Sequence, residues 1–166
     1  MAVNDVLWWT DEFSTDLVSL GEEVEGVVRD NFWRFPSEIT VMEPVEGGVW
    51  IVADSTYFIA GKDVQAVEPV IVSENKGVKY TGLLNSDGNA LWMSDAGECI
   101  GSPGGQLSKP QEPNVAVDRA TTGAAIVMET NGTKMKITTL EEPEVNPLRN
   151  RDWEPFGKPS TQWETS

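Results

Sequence analysis

Acid–base, nucleophilic and metal chemistry each require particular side chains, and this sequence holds few of them. There is no histidine, which removes the commonest general base near neutral pH and the commonest zinc ligand. A single cysteine, Cys99, leaves no intrachain disulfide and no multi-cysteine metal motif. Cys99 stands between Glu98 and Ile100 in an apolar run, so it reads as a small buried hydrophobe and not as a nucleophile. Carboxylates are plentiful, as in Asp11-Glu12, Glu22-Glu23 and Glu141-Glu142. Glycoside hydrolysis, however, needs two carboxyl groups held about 5–10 Å apart across a cleft. Sequence neighbours on a strand point to opposite faces, and these pairs read as solvated charge.

Three further stretches mimic functional loops. Asn85-Ser86-Asp87-Gly88-Asn89 has the composition of a calcium loop but lacks the alternating acids and closing Glu of an EF-hand, and reads as a plain turn. Ser86-Asp87-Gly88 through Trp92 echoes a sialidase Asp box without its spacing, and the arginines lie outside such turns. Ser102-Pro103-Gly104-Gly105-Gln106 is glycine-rich, but no lysine follows at P-loop spacing, so it reads as a wide turn. No catalytic residue, cofactor-binding residue or metal ligand is assigned, and the chain is expected to be no enzyme and to need no cofactor.

Charge narrows the partners. The 27 acidic and 12 basic residues give a net charge of −15, and no basic face is available to displace counterions from nucleic acid or to meet an anionic membrane. An acidic wall would instead repel DNA and let it slide past. The first residues, Met1-Ala2-Val3-Asn4-Asp5-Val6, have no basic n-region, so no signal peptide is expected. No run approaches the roughly 18 apolar residues of a membrane span. The lone cysteine suits a reducing compartment.

The elements that would position these residues are strands. Glu38–Glu43 alternates polar and apolar residues, Val49–Ala53 is a nearly continuous apolar run, and Thr56–Ala60 follows the Asp54-Ser55 turn. Val67–Val72 reads as another strand, with Pro69 placing it at a sheet edge. Ala90–Ser94 and Glu98–Gly101 flank an Asp95-Ala96-Gly97 turn. Gly123–Glu129 and Lys134–Leu140 flank Asn131-Gly132, the strongest hairpin signal in the chain. Thr15–Asn31 is the one stretch with any helical periodicity, and Gly21 and Gly26 interrupt it.

The aromatic strands repeat. Leu7-Trp8-Trp9-Thr10-Asp11 aligns with Leu91-Trp92-Met93-Ser94-Asp95, and Val49-Trp50-Ile51-Val52-Ala53-Asp54 is the same unit with one extra residue. Trp8, Trp50 and Trp92 are 42 residues apart at each step, and a degenerate copy without Trp begins at Ala125. A period of about 40–45 residues with several short strands per unit is the sequence signature of propeller blades. The three tryptophans are the proposed repeat core, each filling the same gap between neighbouring units. Residues 1–140 are read as one repeated all-β domain of three to four such units: a small or incomplete ring, an open stack or a β-sandwich. Unfinished edges would demand a partner chain or a second copy. Residues 141–166 form an extended tail with Pro143, Pro147, Pro155 and Pro159, too polar to build a core. Its Trp153, Phe156 and Trp163 are the proposed partner contacts, the alternative being that they pack on their own domain.

Two stretches carry a family resemblance. One runs from Ile39 through Glu46-Gly47-Gly48-Val49-Trp50-Ile51 into Thr56-Tyr57-Phe58-Ile59-Ala60-Gly61. The other is Ala90-Leu91-Trp92-Met93-Ser94-Asp95-Ala96-Gly97-Glu98-Cys99-Ile100-Gly101-Ser102-Pro103-Gly104-Gly105-Gln106. Both resemble virion structural proteins of tailed bacteriophages that carry propeller-like repeats, over roughly residues 38–140. The resemblance implies a non-enzymatic component of the tail or of a tail-tip or connector assembly, put together in the host cytoplasm and held by other virion proteins or by copies of itself. It carries over no catalytic residue, and the chain is short for that family. The rival expectation is a carbohydrate- or receptor-binding module at the virion surface that uses exposed tryptophan.

Overall fold

The computed structural model describes residues 2–9, 23–24, 27–28, 32–61, 68–111 and 120–141. Among the described residues every regular element is a strand. In chain order these are β1 (Ala2–Val3), β2 (Val6–Trp8), β3 (Glu23–Val24), β4 (Val27–Val28), β5 (Phe32–Arg34), β6 (Val41–Val45), β7 (Gly48–Val52) and β8 (Thr56–Ala60). Then follow β9 (Val70–Ser73), β10 (Leu83–Leu84), β11 (Ala90–Ser94), β12 (Gly97–Gly101), β13 (Leu107–Ser108), β14 (Thr122–Thr130) and β15 (Thr133–Glu141).

They form five small antiparallel sheets. Two are four-stranded meanders in sequence order, β6-β7-β8-β9 and β10-β11-β12-β13. A third sheet has the order β1-β2-β5, and β3-β4 and β14-β15 are two-stranded. None of the sheets closes on itself, and among the described residues the arrangement is all-β with open sheets, as an incomplete or sandwich-like stack would have, with no closed ring of blades. The degenerate unit after Ala125 is not a third meander but one long hairpin, β14–β15, with nine paired positions.

Local chemistry explains the connections. Two-residue hairpin loops favour positive φ at both central residues, and Asn131 and Gly132 supply it at 52° and 75°. Pro69 lies just before β9, which among the described residues pairs only with β8 and so is the sheet edge that a proline tolerates. The helical periodicity of Thr15–Asn31 yields no helix where the stretch is described: Glu23–Val24 pairs with Val27–Val28 as a short hairpin. Val24, Val27 and Val28 are β-branched and stiff at χ1, which favours strand.

The β6–β9 sheet sits in the middle of a three-layer stack, because both of its faces carry large apolar side chains. On one face, Ile51, Tyr57 and Ile59 pack with Leu7 and Phe35, joined by half-buried Trp33 and Ile39. On the other, Val41, Trp50, Val52 and Phe58 pack with Ala90, Trp92 and Cys99 of the second meander. The period-two alternation of a strand thus sends Trp50 and Ile51 into two different cores.

Candidate functional site

The best-defined feature is the seam between the two meanders. Trp50 and Trp92 are both 0% exposed, with ring centroids 5.6 Å apart and planes tilted by 43°. Phe58, directly opposite Trp50 in the ladder, extends the cluster at 4.8 Å. Removing one indole from water takes away about 150–250 Å² of surface, worth on the order of 4–6 kcal/mol before entropy is counted.

The second meander makes room for these rings with glycine. A Cβ on Gly101 would come within 2.5 Å of the Trp50 ring. The glycine-rich turn then folds back over the seam. Ser102 accepts a hydrogen bond from Trp50 Nε1 at 3.0 Å through its carbonyl, and its hydroxyl oxygen accepts one from the Gln106 amide. This stretch, read from sequence as a wide turn, is therefore the lid of the Trp50 pocket. Trp92 has no equivalent: its Nε1 is buried without a hydrogen-bond partner among the described residues, a cost of about 1–3 kcal/mol.

The repeat expectation gave each tryptophan an equivalent seam, and the packing differs. Cross-strand neighbours share a face, so Trp92, Ala90, Cys99 and Gly101 all point toward the β6–β9 sheet, while Trp50 points back at them. Equal sequence spacing brings these two rings into one shared seam. Trp8 lies elsewhere, half-buried against Phe32 at 5.1 Å. Its neighbour Leu7, on the opposite face of the strand, enters the core in its place. Trp153, Phe156 and Trp163 lie outside the described residues. Glu141, where the composition of the chain shifts, is the last residue of β15.

Cys99 opposes Trp92 across the ladder and donates to Ser94 Oγ at 3.2 Å. Burial pushes its thiol pKa up, which favours the protonated, unreactive form. In the 85–89 turn, Asn85 Oδ1 accepts the Asp87 and Asn89 amides, as an Asx turn does. Asp87 itself pairs with Lys134. Among the described residues no group of three or more Cys, Asp or Glu side chains is placed to hold a metal ion.

A cleft of about 490 Å³ with a mixed lining opens between the loops, with Glu38, Thr40, Lys76, Asp95 and Thr121 beside Ala53 and Val78. Its charges are largely paired: Glu38 with Lys79 at 2.6 Å and Asp95 with the Asn75 amide at 2.8 Å. No sequence motif points to it, since its lining comes from five separate stretches, around Glu38, Ala53, Lys76, Asp95 and Thr121.

The remaining feature is the β14–β15 hairpin. Its inner side is tied to the second meander by Lys134 to Asp87 and by Lys136 to Glu98, at 2.5 and 3.5 Å. Burial lowers the Lys136 pKa against the opposing pull of Glu98. Its outer side is turned to solvent. Ile126 faces Ile137 and Met128 faces Met135 across the ladder, and these four side chains are 56%, 44%, 46% and 55% exposed in that order. No protein-family model, curated protein or solved structure matches the chain.

Proposed function

We propose that the chain is a non-enzymatic structural component of a tailed-bacteriophage virion, placed in the tail or a tail-tip or connector assembly by protein–protein contacts. The observation that carries this reading is the outer face of β14–β15. Four large apolar side chains in two cross-strand pairs stand in solvent on a chain of net charge −15. Contiguous exposed apolar patches on otherwise soluble chains mark interaction sites. The virion context rests on the resemblance of 39–61 and 90–106, which fall on β6–β8 and β11–β12 with the glycine-rich turn.

The contact of Trp50 with Trp92 supports a sandwich-like stack of repeated four-strand units over a closed ring. Successive blades of a ring present the same residue in the same direction, whereas these two residues meet. Mass spectrometry of gradient-purified particles, with tails separated from heads, tests the role. The chain is expected at a fixed copy number in the tail fraction. Its absence from particles, with free chain in the lysate, overturns the proposal.

A further inference from the structure

We infer that the cleft beside the 76–81 turn binds a neutral saccharide, with Tyr80 at its rim as the stacking platform. The inference goes beyond the assembly role proposed above and does not depend on it.

Tyr80 is both strained and exposed. Its φ is +67°, in the left-handed region that a bulky side chain occupies only where its surroundings hold it there. Glycine or asparagine sits in that region at lower cost. Here the turn is fixed from both sides. Val78 and Thr81 are buried, and Thr81 Oγ1 donates to the Val78 carbonyl at 2.7 Å and accepts the Met93 amide at 3.0 Å. The Lys79 amide donates to the Thr121 carbonyl at 3.2 Å, and the Lys79 carbonyl accepts the Gly123 amide at 2.9 Å. The ring that this turn carries is nevertheless 67% exposed. Packing therefore does not account for a tyrosine at this position, and a ligand for the ring does.

Lys79 joins Tyr80 to the cleft. Its ammonium stands 5.3 Å from the centroid of the Tyr80 ring and 2.6 Å from Oε1 of Glu38, in the cleft lining. The cleft, at about 490 Å³, has the size of a small-ligand site.

Its polar groups set the ligand class. The carboxylates of Glu38 and Asp95 are matched by the ammonium groups of Lys76 and Lys79. The site thus has no net charge to draw in an ion, and a chain of net charge −15 disfavours an anion further. Each carboxylate spends one oxygen inside the chain, Glu38 Oε1 on Lys79 and Asp95 Oδ1 on the Asn75 amide. The second oxygen of each is left to accept from a ligand. Thr40 Oγ1 donates to the Val52 carbonyl at 3.1 Å and keeps its lone pairs, while Lys76 supplies donors. Acceptors and donors therefore lie close together beside apolar Ala53 and Val78, with an aromatic ring next to them. A sugar matches that set. Its neighbouring hydroxyls each donate and accept, and its C–H face carries the slight positive charge that the face of an aromatic ring attracts.

The full chain is tested on an array of neutral oligosaccharides built from glucose, galactose, mannose and N-acetylglucosamine, with sulfated and carboxylated sugars beside them. Binding is then measured by calorimetry with the neutral sugar retained, and located by amide shifts in a nitrogen-15 NMR spectrum. The shifts are expected at residues 37–40 and 76–81. Tyr80→Gly removes the ring and relieves the positive φ, so it is expected to melt no lower than wild type and to bind at least about tenfold more weakly. Glu38→Gln is also expected to weaken binding by about tenfold or more, through the lost charged acceptor. Binding to no neutral sugar at millimolar concentration, preference for the anionic sugars, or shifts confined to other residues overturns the inference. So does Tyr80→Gly that binds as wild type does or melts lower. The particle measurement decides the virion role separately from all of these.

Discussion

Trp50 and Trp92 come from equivalent strands of two meanders and lie 5.6 Å apart, ring to ring, in the single seam that joins them. Their surroundings differ in one respect: Trp50 Nε1 donates to the Ser102 carbonyl, whereas Trp92 Nε1 is buried without a partner among the described residues. Two rings of equal burial therefore respond differently to the same substitution. Trp50→Phe loses packing and strands the Ser102 carbonyl, and is expected to cost about 2–4 kcal/mol. Trp92→Phe loses similar packing but removes an unpaired donor, and is expected to cost at least about 1 kcal/mol less. Guanidinium unfolding of the two variants checks the order.

Substitutions in the glycine-rich turn separate space from backbone. Gly101→Ala drives a methyl group to within 2.5 Å of the Trp50 ring, and the ring has no room to retreat within its core. A loss of about 1–3 kcal/mol is expected, as for other overpacked cores. Three residues on, a methyl at Gly104 meets nothing closer than Ser102 Oγ at 4.0 Å, so Gly104→Ala is expected to stay within about 0.5 kcal/mol of wild type. Thermal melts of both variants make the comparison.

Glu43 gives the fold a pH signature. It faces Trp50 across the β6–β7 ladder, and burial raises its pKa above 4.5. The unfolded chain then loses this proton at lower pH than the folded one. The stability tied to it is present below the unfolded pKa and is lost as pH rises through the folded value. Glu43→Gln is expected to be more stable than wild type at neutral pH, with the gap closing as pH falls below the unfolded pKa. Unfolding midpoints of both proteins measured across the acid range test the sign.

Much of this fold was legible because it is local. Asn131-Gly132, Asp95-Ala96-Gly97 and Pro69 punctuate the chain through their own backbone preferences, and the strands beside them follow from apolar alternation. What alternation leaves open is which neighbour lies over each face. Val49–Val52 reads as a continuous apolar run because Trp50 and Ile51 serve two cores at once. Nothing in their order says that Trp50 and Trp92 turn toward each other, and equal spacing suggested the opposite. The outer hairpin face was hidden for the converse reason. Ala124–Met128 has the composition of an inner strand, and only the pairing register shows Ile126 and Met128 to be outside. The Ser102 carbonyl that serves Trp50 lies 52 residues away in sequence, beyond the reach of any local signal.

A double-mutant cycle on Trp50→Leu and Trp92→Leu, read by chemical unfolding, tests the shared seam most directly. Two aromatic rings in contact within one desolvated cluster are expected to couple by about 0.5–1.5 kcal/mol, with the double variant losing less than the sum of the single losses. Strict additivity of the two losses would place the rings in separate environments and contradict the face-to-face packing of the two meanders.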